Sequence, residues 1–186
     1  MAPLYHLCSQ IQNSFKWQLR RIAVPNSKPN RAICQILYDE GFVSSVALGD
    51  ETGPFPANAP VFTGLATSPS PQPTSTPSSS SSATPNRKSA LVTPPPNPAR
   101  LRIWLDLKYK HSRPVLSRMS VVSKPSRRVY ASLRELQAVA AARRAGPLLK
   151  GQEVGQITIL DTPYGIIELK EALKQEVGGE VLCIAV

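Results

Sequence analysis

Cysteine and histidine are scarce in this sequence, with three cysteines and two histidines among 186 residues. Cys8, Cys34 and Cys183 are far apart and lie among apolar neighbours, which indicates reduced core thiols and not disulfide bridges. His6 and His111 have no nearby cysteine or paired carboxylates at the spacing of metal ligands. We therefore expect no metal site and no cofactor.

Long apolar runs and catalytic motifs are also missing. No window approaches the roughly 20 consecutive apolar residues of a membrane-spanning helix, so we expect a soluble protein or part of a soluble assembly, with no membrane partner. No nucleophile turn and no glycine-rich phosphate loop surrounds the serine, histidine and aspartate residues. The sequence therefore predicts no catalytic residues and no small-molecule substrate.

Residues 50–99 form a Pro/Ser-rich, low-complexity insertion. More than half of the 19 prolines lie between Pro54 and Pro98, and the serine run from Ser78 to Ser82 lies within the same stretch. A segment of this composition buries too little apolar surface to offset the entropy lost on ordering. We expect it to be disordered and to interrupt a protein of two small lobes.

Positive charge is concentrated in the middle of the chain. The whole sequence has 22 Lys and Arg against 12 Asp and Glu, but residues 100–150 contain 13 basic side chains and only Asp106 and Glu135 as acids. Residues 151–186 contain two basic and six acidic residues. The imbalance favours a polyanionic partner, and the alternative is a basic surface that is merely solvated.

Hydrophobic periodicity predicts an α+β fold. The N-terminal lobe, residues 1–49 and 100–112, has the pattern αβαββ: an amphipathic helix over 4–19, a strand over 22–24, a helix from the Ser27 cap to Gly41, a strand over 42–48 and an alternating strand over 101–107. The last two strands are expected to pair across the insertion. An insertion at a hairpin tip costs little, because the entropy of loop closure grows slowly with length.

The C-terminal lobe, residues 113–186, is predicted to be a small antiparallel sheet with helices. The expected elements are extended segments over 115–122 and 128–130, a helix from Ser132 to Gly146 with Glu135 completing a capping box, a strand over 156–160, a tight turn over 161–165, a helix over 168–177 with Leu169 and Leu173 inward, and a strand over 181–186.

Several of these segments resemble the family of small-subunit ribosomal protein eight. The most specific are ITILDTPYGIIELKEA (157–172), GGEVLC (178–183) and SKPSRRVY (123–130); LDLKY (105–109), IQNS (11–14), VPNSKPN (24–30) and ILYDEGFV (36–43) follow the order and spacing of the family. The resemblance implies a structural protein, not an enzyme, that binds the central domain of small-subunit rRNA and supports platform assembly and translation. Small-subunit rRNA and neighbouring small-subunit ribosomal proteins are the implied partners.

The resemblance points to a mitochondrial, fungal-like member of this bacterial-type family. The long insertion and the altered turn at 161–165 are the departures that indicate it. The first 38 residues contain five basic side chains and no acid, which is typical of a mitochondrial matrix import signal. The alternative is that this segment is simply the first RNA-facing helix.

The proline-fixed loop SKPSRRVY is the first candidate RNA-binding site. Lysine and arginine form phosphate contacts, a serine hydroxyl is a donor and a tyrosine ring stacks on bases. The candidate residues are Ser123, Lys124, Pro125, Arg127, Arg128 and Tyr130. The alternative is an ordinary solvent-facing basic hairpin.

A helix N-terminus and a turn supply the remaining candidates. Ser27, Lys28 and Arg31 lie where the helix dipole favours a phosphate, although Ser27 in the alternative only caps the helix. The resemblance of the segment IQNS (11–14) to the family adds Asn13 as a candidate RNA-binding residue.

In the turn, the resemblance implies RNA contact for Thr162, Tyr164 and Gly165. Asp161 and Pro163 stand where the family usually has serines. The alternatives are a purely structural turn or a Tyr164 ring that fills the core.

Two other functions are compatible with the sequence. The same module would serve a free RNA-binding regulator of messenger RNA, and the Pro/Ser tract would serve a protein-binding adaptor. Sedimentation separates the free RNA-binding regulator from a ribosomal protein. Loss of RNA binding on removal of the Pro/Ser tract would indicate the protein-binding adaptor.

Overall fold

A computed structural model describes residues 4–55 and 100–186 of the chain. The described elements in chain order are α1 (Leu4–Lys16), β1 (Arg21–Pro25), α2 (Lys28–Asp39), β2 (Val43–Gly49), β3 (Arg102–Leu107), β4 (Tyr109–Lys110), β5 (Arg113–Pro114), β6 (Met119–Val121), β7 (Tyr130–Ala131), α3 (Leu133–Ala140), β8 (Ile157–Thr162), β9 (Gly165–Glu168), α4 (Leu169–Lys174) and β10 (Gly179–Ala185). The predicted disorder of the insertion falls mainly on residues 56–99, outside the described residues.

The N-terminal sheet has the strand order β1-β3-β2, with antiparallel pairing throughout. Leu48 lies opposite Ile103 in the register of β2 and β3, which confirms that these strands pair across the insertion. Apolar and polar residues alternate along β3, and the apolar residues Ile103, Leu105 and Leu107 are buried as predicted. Beyond β2, the indole of Trp104 donates a hydrogen bond of 2.9 Å to the carbonyl oxygen of Asp50.

Helix α2 begins and ends as its sequence predicts. The Ser27 hydroxyl accepts a hydrogen bond of 3.4 Å from the backbone N–H of Asn30, and Pro29 occupies the first turn. Gly41 follows the helix with φ of 78°, a left-handed conformation that glycine adopts without steric cost. Phe42 then donates its backbone N–H to Leu37 and is buried.

The C-terminal sheet is built around β10. Its strand order is β6-β10-β8-β9, and β7 pairs with the same edge of β10 as β6 does. Cys183 lies opposite Val121 of β6, whereas Glu180 lies opposite Tyr130 of β7. The chain between β6 and β7 therefore protrudes from this edge of the sheet.

Two apolar cores hold the two sheets and their helices together. The larger one combines residues of α1, α2 and the N-terminal sheet with Leu116, Met119 and residues of β8 and β10. The smaller one is formed by α3, α4 and the other apolar residues of the C-terminal sheet. The arrangement confirms the predicted α+β fold of two small lobes, whose exact boundaries remain a prediction.

Cys8, Cys34 and Cys183 all lie in the larger core as free, buried thiols, as predicted. Burial raises the pKa of Cys34 to about 12, so this thiol stays protonated at neutral pH. In the described part of the chain, no helix is long and apolar enough to cross a membrane.

Helix α3 is shorter than predicted. Its capping box forms between Ser132 and Glu135, but the helix ends at Ala140 and does not reach Gly146. Ala142 adopts a left-handed φ of 58°, and Gln152 donates its backbone N–H to the carbonyl oxygen of Val139 at 2.9 Å. The alanine-rich sequence favours a helix locally, but the returning chain occupies the position that a further turn would need.

Other predicted boundaries are also wrong. The first helix ends at Lys16 and does not reach Leu19, and within the extended segment 115–122 the strand β6 covers residues 119–121. Of the segment 161–165, Asp161 and Thr162 extend β8 and Gly165 begins β9, so the turn contains only two residues. The last helix covers 169–174, with Leu169 and Ala172 buried and Leu173 half-buried. Cross-strand pairing, which overrides local turn propensity, accounts for the longer strands.

Candidate nucleic-acid interface

The basic loop, residues 123–128, is a tight hairpin that protrudes between β6 and β7. The backbone N–H of Lys124 donates to Arg127 at 3.0 Å, and that of Arg127 donates back to Lys124 at 2.9 Å. Pro125 and Ser126 lie at the corner, where the fixed φ of proline suits a turn. The side chains of Lys124 and Arg127 are exposed as a result.

Glu180 of the central strand anchors this loop. The Ser123 hydroxyl donates a hydrogen bond to Glu180 Oε1, and Arg128 Nη1 donates to Oε2 at 3.1 Å. The same serine oxygen accepts the backbone N–H of Val129 at 3.4 Å. Ser123 is only 6% exposed, so its hydroxyl is engaged within the protein. Its predicted contact with RNA remains a prediction, and its observed contacts hold the loop in place.

Tyr130 extends the exposed surface of the loop onto β7. Its ring is on the outside of the protein, and the residue is 64% exposed. The pKa of Arg128 is raised, first by a hydrogen bond with Tyr130 and then by the charge of Glu180. The guanidinium therefore stays charged beside an accessible aromatic ring, a combination that suits a phosphate and a base.

The hairpin between β8 and β9, residues 162–165, lies on the other side of β10. Thr162 Oγ1 donates a hydrogen bond of 2.8 Å to the carbonyl oxygen of Gly165, whose φ is 121°. Thr162 is 7% exposed, so its hydroxyl is also engaged internally. Tyr164 at the tip is 77% exposed, and the alternative that its ring fills the core is wrong.

Asp161 connects this hairpin to the loop through the sheet register. Tyr130, Glu180 and Asp161 occupy consecutive positions across β7, β10 and β8. The strands approach closely beside this row, because a Cβ atom on Gly179 would lie 2.4 Å from the carbonyl oxygen of Asp161. Only glycine fits there, which explains the Gly-Gly-Glu sequence in packing terms.

The remaining candidates lie on α1 and at the N-terminus of α2. Asn13 and Lys28 are exposed, and the Ser27 hydroxyl caps α2. Arg31 Nε donates to Asn26 Oδ1 at 2.5 Å, which orders the helix N-terminus further. The capping role of Ser27 is thus confirmed, and phosphate binding at this helix remains a prediction.

Glu180 is the residue of this candidate site that the sequence prediction missed. The Gly-Gly-Glu segment signals a residue of interest, but nothing local shows that its carboxylate meets a loop more than 50 residues earlier. No cluster of three His, Cys, Asp or Glu residues in 4–55 and 100–186 has the geometry of a metal site. The site thus consists of exposed cations and aromatic rings on a fixed backbone.

Comparisons with known proteins identify the family of this chain. The family model of ribosomal protein S8 matches residues 79–185. The small ribosomal subunit protein uS8m of Neurospora crassa is 35% identical over 98% of this chain and 97% of its own length. Its namesake in Schizosaccharomyces pombe is 32% identical over 97% of each chain. The uS8 protein of Caulobacter vibrioides is 26% identical over 97% of this chain and 94% of its own length. The chain therefore belongs to the ribosomal protein S8 family, whose members are structural components of the ribosome and not enzymes.

Proposed function

We propose that the chain is a structural constituent of the mitochondrial small ribosomal subunit that binds the central domain of small-subunit rRNA and supports platform assembly and translation. The observation that carries this proposal is the basic loop, which Glu180 holds beside the exposed ring of Tyr130. Family membership supports the ribosomal role, and the charge of the loop supports RNA as the direct partner.

The geometry favours folded RNA with accessible bases. Lys124 and Arg127 point out of a closed hairpin and neutralise phosphates, which sets affinity and register. The rings of Tyr130 and Tyr164 provide planar surfaces for unstacked bases on either side of β10. Contacts of both kinds suit an irregular helix or junction better than a uniform duplex.

The mitochondrial assignment follows from the relatives. The two fungal relatives, which match nearly the whole chain, are named uS8m. We assign the protein to the mitochondrial ribosome in the matrix. Neighbouring small-subunit ribosomal proteins are its expected protein partners.

Sedimentation of the C-terminally tagged full chain tests this function. Mitochondrial lysate is separated on gradients at low and at high salt, and the tagged chain is followed together with the small-subunit rRNA. A ribosomal constituent co-migrates with the small subunit under both conditions. A slowly sedimenting pool bound to messenger RNA would instead identify a free regulator. Fluorescence microscopy of a C-terminal fluorescent fusion beside stained mitochondria tests the location, and a purely cytosolic signal would overturn the mitochondrial assignment.

A further inference from the structure

A groove of about 590 Å³ lies beside the basic loop, on the side of β6 and the end of β10. Its floor is apolar and includes Val121 of β6 and Ile184 of β10, both half-buried. One wall is the segment that follows α3, which contributes Leu148 and Lys150. The groove thus combines an open apolar surface with the edge of the proposed RNA-binding site.

Four cations line this groove: Arg118, Lys124, Arg127 and Lys150. None of them forms an ion pair with another side chain within residues 4–55 and 100–186. Glu153 is the one acidic side chain among the lining residues of the described chain. The surplus of positive charge makes the groove complementary to an anion.

The backbone that presents these cations is held on every side. Arg118 exchanges backbone hydrogen bonds with Val186 at 2.9 and 3.1 Å, and Lys124 does so with Arg127 in the loop hairpin. Lys150 follows Leu149, which is buried in the smaller core and accepts the backbone N–H of Ala145 at 3.1 Å. Fixed walls lower the entropy lost when a ligand binds.

We propose that this groove binds an unpaired nucleotide of the same RNA, with its phosphate on the cations and its base on the apolar floor. The inference rests on the proposed function, because Lys124 and Arg127 belong to both the loop and the groove. RNA that binds Lys124 and Arg127 in the loop therefore already lies at the edge of the groove. Arginine planes and apolar side chains provide the contacts that a splayed base requires.

The test uses the full chain and a transcript of the central domain of its small-subunit rRNA. Arg118→Gln combined with Lys150→Gln removes the two groove cations that the loop does not share. Arg134→Gln combined with Lys174→Gln is the matched control, since it removes the same charge from exposed positions on α3 and α4. Binding is measured against salt, and circular dichroism verifies that both variants fold.

The groove variant is expected to lower the slope of log affinity against log salt by about 0.7, because the groove holds the one phosphate of the unpaired nucleotide and a single-strand phosphate contact contributes about 0.7. The control is expected to keep the wild-type slope. A photoreactive benzoylphenylalanine in place of Leu148 is expected to form an adduct with the transcript, and in isolated small subunits with rRNA.

Two results would overturn the groove assignment while leaving the proposed function intact. The first is that the groove variant and the control show equal salt slopes although the wild-type chain binds the transcript. The second is that the adduct formed in small subunits contains a neighbouring protein. Failure of the wild-type chain to bind the transcript at any salt concentration would instead contradict the proposed function itself.

Discussion

Arg128 and Glu180 form an ion pair of 3.1 Å that joins the basic loop to the central strand of the C-terminal sheet. The other carboxylate oxygen of Glu180 accepts the Ser123 hydroxyl, so one acidic side chain holds both ends of the loop. An acid inside a phosphate-binding surface lowers its positive potential. Here it also fixes where Lys124 and Arg127 stand, which the hairpin alone does not determine.

Glu180→Ala is expected to destabilise the protein by about 1 to 3 kcal/mol, because it leaves the largely buried Ser123 hydroxyl without its acceptor. RNA affinity is expected to fall even though a negative charge is removed. Urea unfolding and binding to the rRNA transcript measure the two effects. Asp161→Ala is the matched control, since it removes the same charge from the adjacent strand. Tighter RNA binding by the Glu180 variant would show that its charge matters more than its contacts.

Lys124→Ala combined with Arg127→Ala is expected to weaken rRNA binding and to lower its salt slope by about 1.4 to 1.8, since each phosphate contact contributes about 0.7 in a single strand and about 0.9 in a duplex. Stability is expected to change by less than about 0.5 kcal/mol, because both side chains are exposed. Filter binding over a range of salt concentrations provides the slope. An unchanged slope would mean that both side chains face solvent in the complex.

Asp161→Ser is expected to strengthen rRNA binding at low salt. Asp161 is exposed in β8 beside Glu180, and it caps no helix, so in the proposed complex the main effect of its charge would be repulsion of phosphate. Because salt screens exposed charges, with a Debye length of about 10 Å at 0.1 M, the gain is expected to shrink as salt is added. Equal affinities at every salt concentration would place this edge of the sheet outside the RNA interface.

Asp106 supplies a pH dependence of stability in the N-terminal sheet. Its carboxylate accepts Arg21 Nε at 2.5 Å and the Ser45 hydroxyl at 2.7 Å, and the hydrogen bond from Arg21 is the main cause of its lowered pKa. A carboxyl whose pKa is lowered by folding stabilises the protein above its unfolded pKa of about 3.9, and this contribution is lost as the pH falls through the folded value.

We therefore expect Asp106→Asn to lower the melting temperature at pH 7 and to converge with wild type in strong acid. Melting curves between pH 7 and pH 2 test this, with Asp161→Asn as the control for the loss of one exposed carboxylate. A difference in melting temperature between Asp106→Asn and wild type that stays constant at all pH values would show that the effect does not depend on the charge of Asp106.

Replacing residues 57–98 by a short Gly/Ser linker is expected to change stability and RNA affinity little. The composition of this stretch favours few buried contacts, and the pairing of Gly49 with Arg102 keeps β2 and β3 together without it. Calorimetry and transcript binding measure both quantities. A large drop in melting temperature would show that the tract packs against a lobe, and a loss of RNA binding alone would favour its role as an adaptor.

Local patterns in the sequence were sufficient for much of this fold. The Ser27 cap predicts where α2 begins and Gly41 predicts where it ends, because both act through backbone groups within a few residues. The alternation from Ile103 to Leu107 determines which side of β3 is buried, since successive strand residues face opposite sides. Pro125 likewise favours the turn of the basic loop before any tertiary contact exists.

Tertiary structure alone decided how the predicted RNA-binding residues are arranged. Ser123 lies 57 residues before Glu180, and their contact depends on the register of β7 and β8 with β10, which no local pattern contains. The end of α3 was decided in the same way, because Gln152 returns to bond Val139 against a strong local preference for helix. Short-range propensities act through neighbouring dihedral angles, whereas the partner of a side chain depends on which strands meet. The sequence by itself therefore determined the elements and the charge of this protein, and the packing of β10 between its neighbours decided which cations and rings remain exposed.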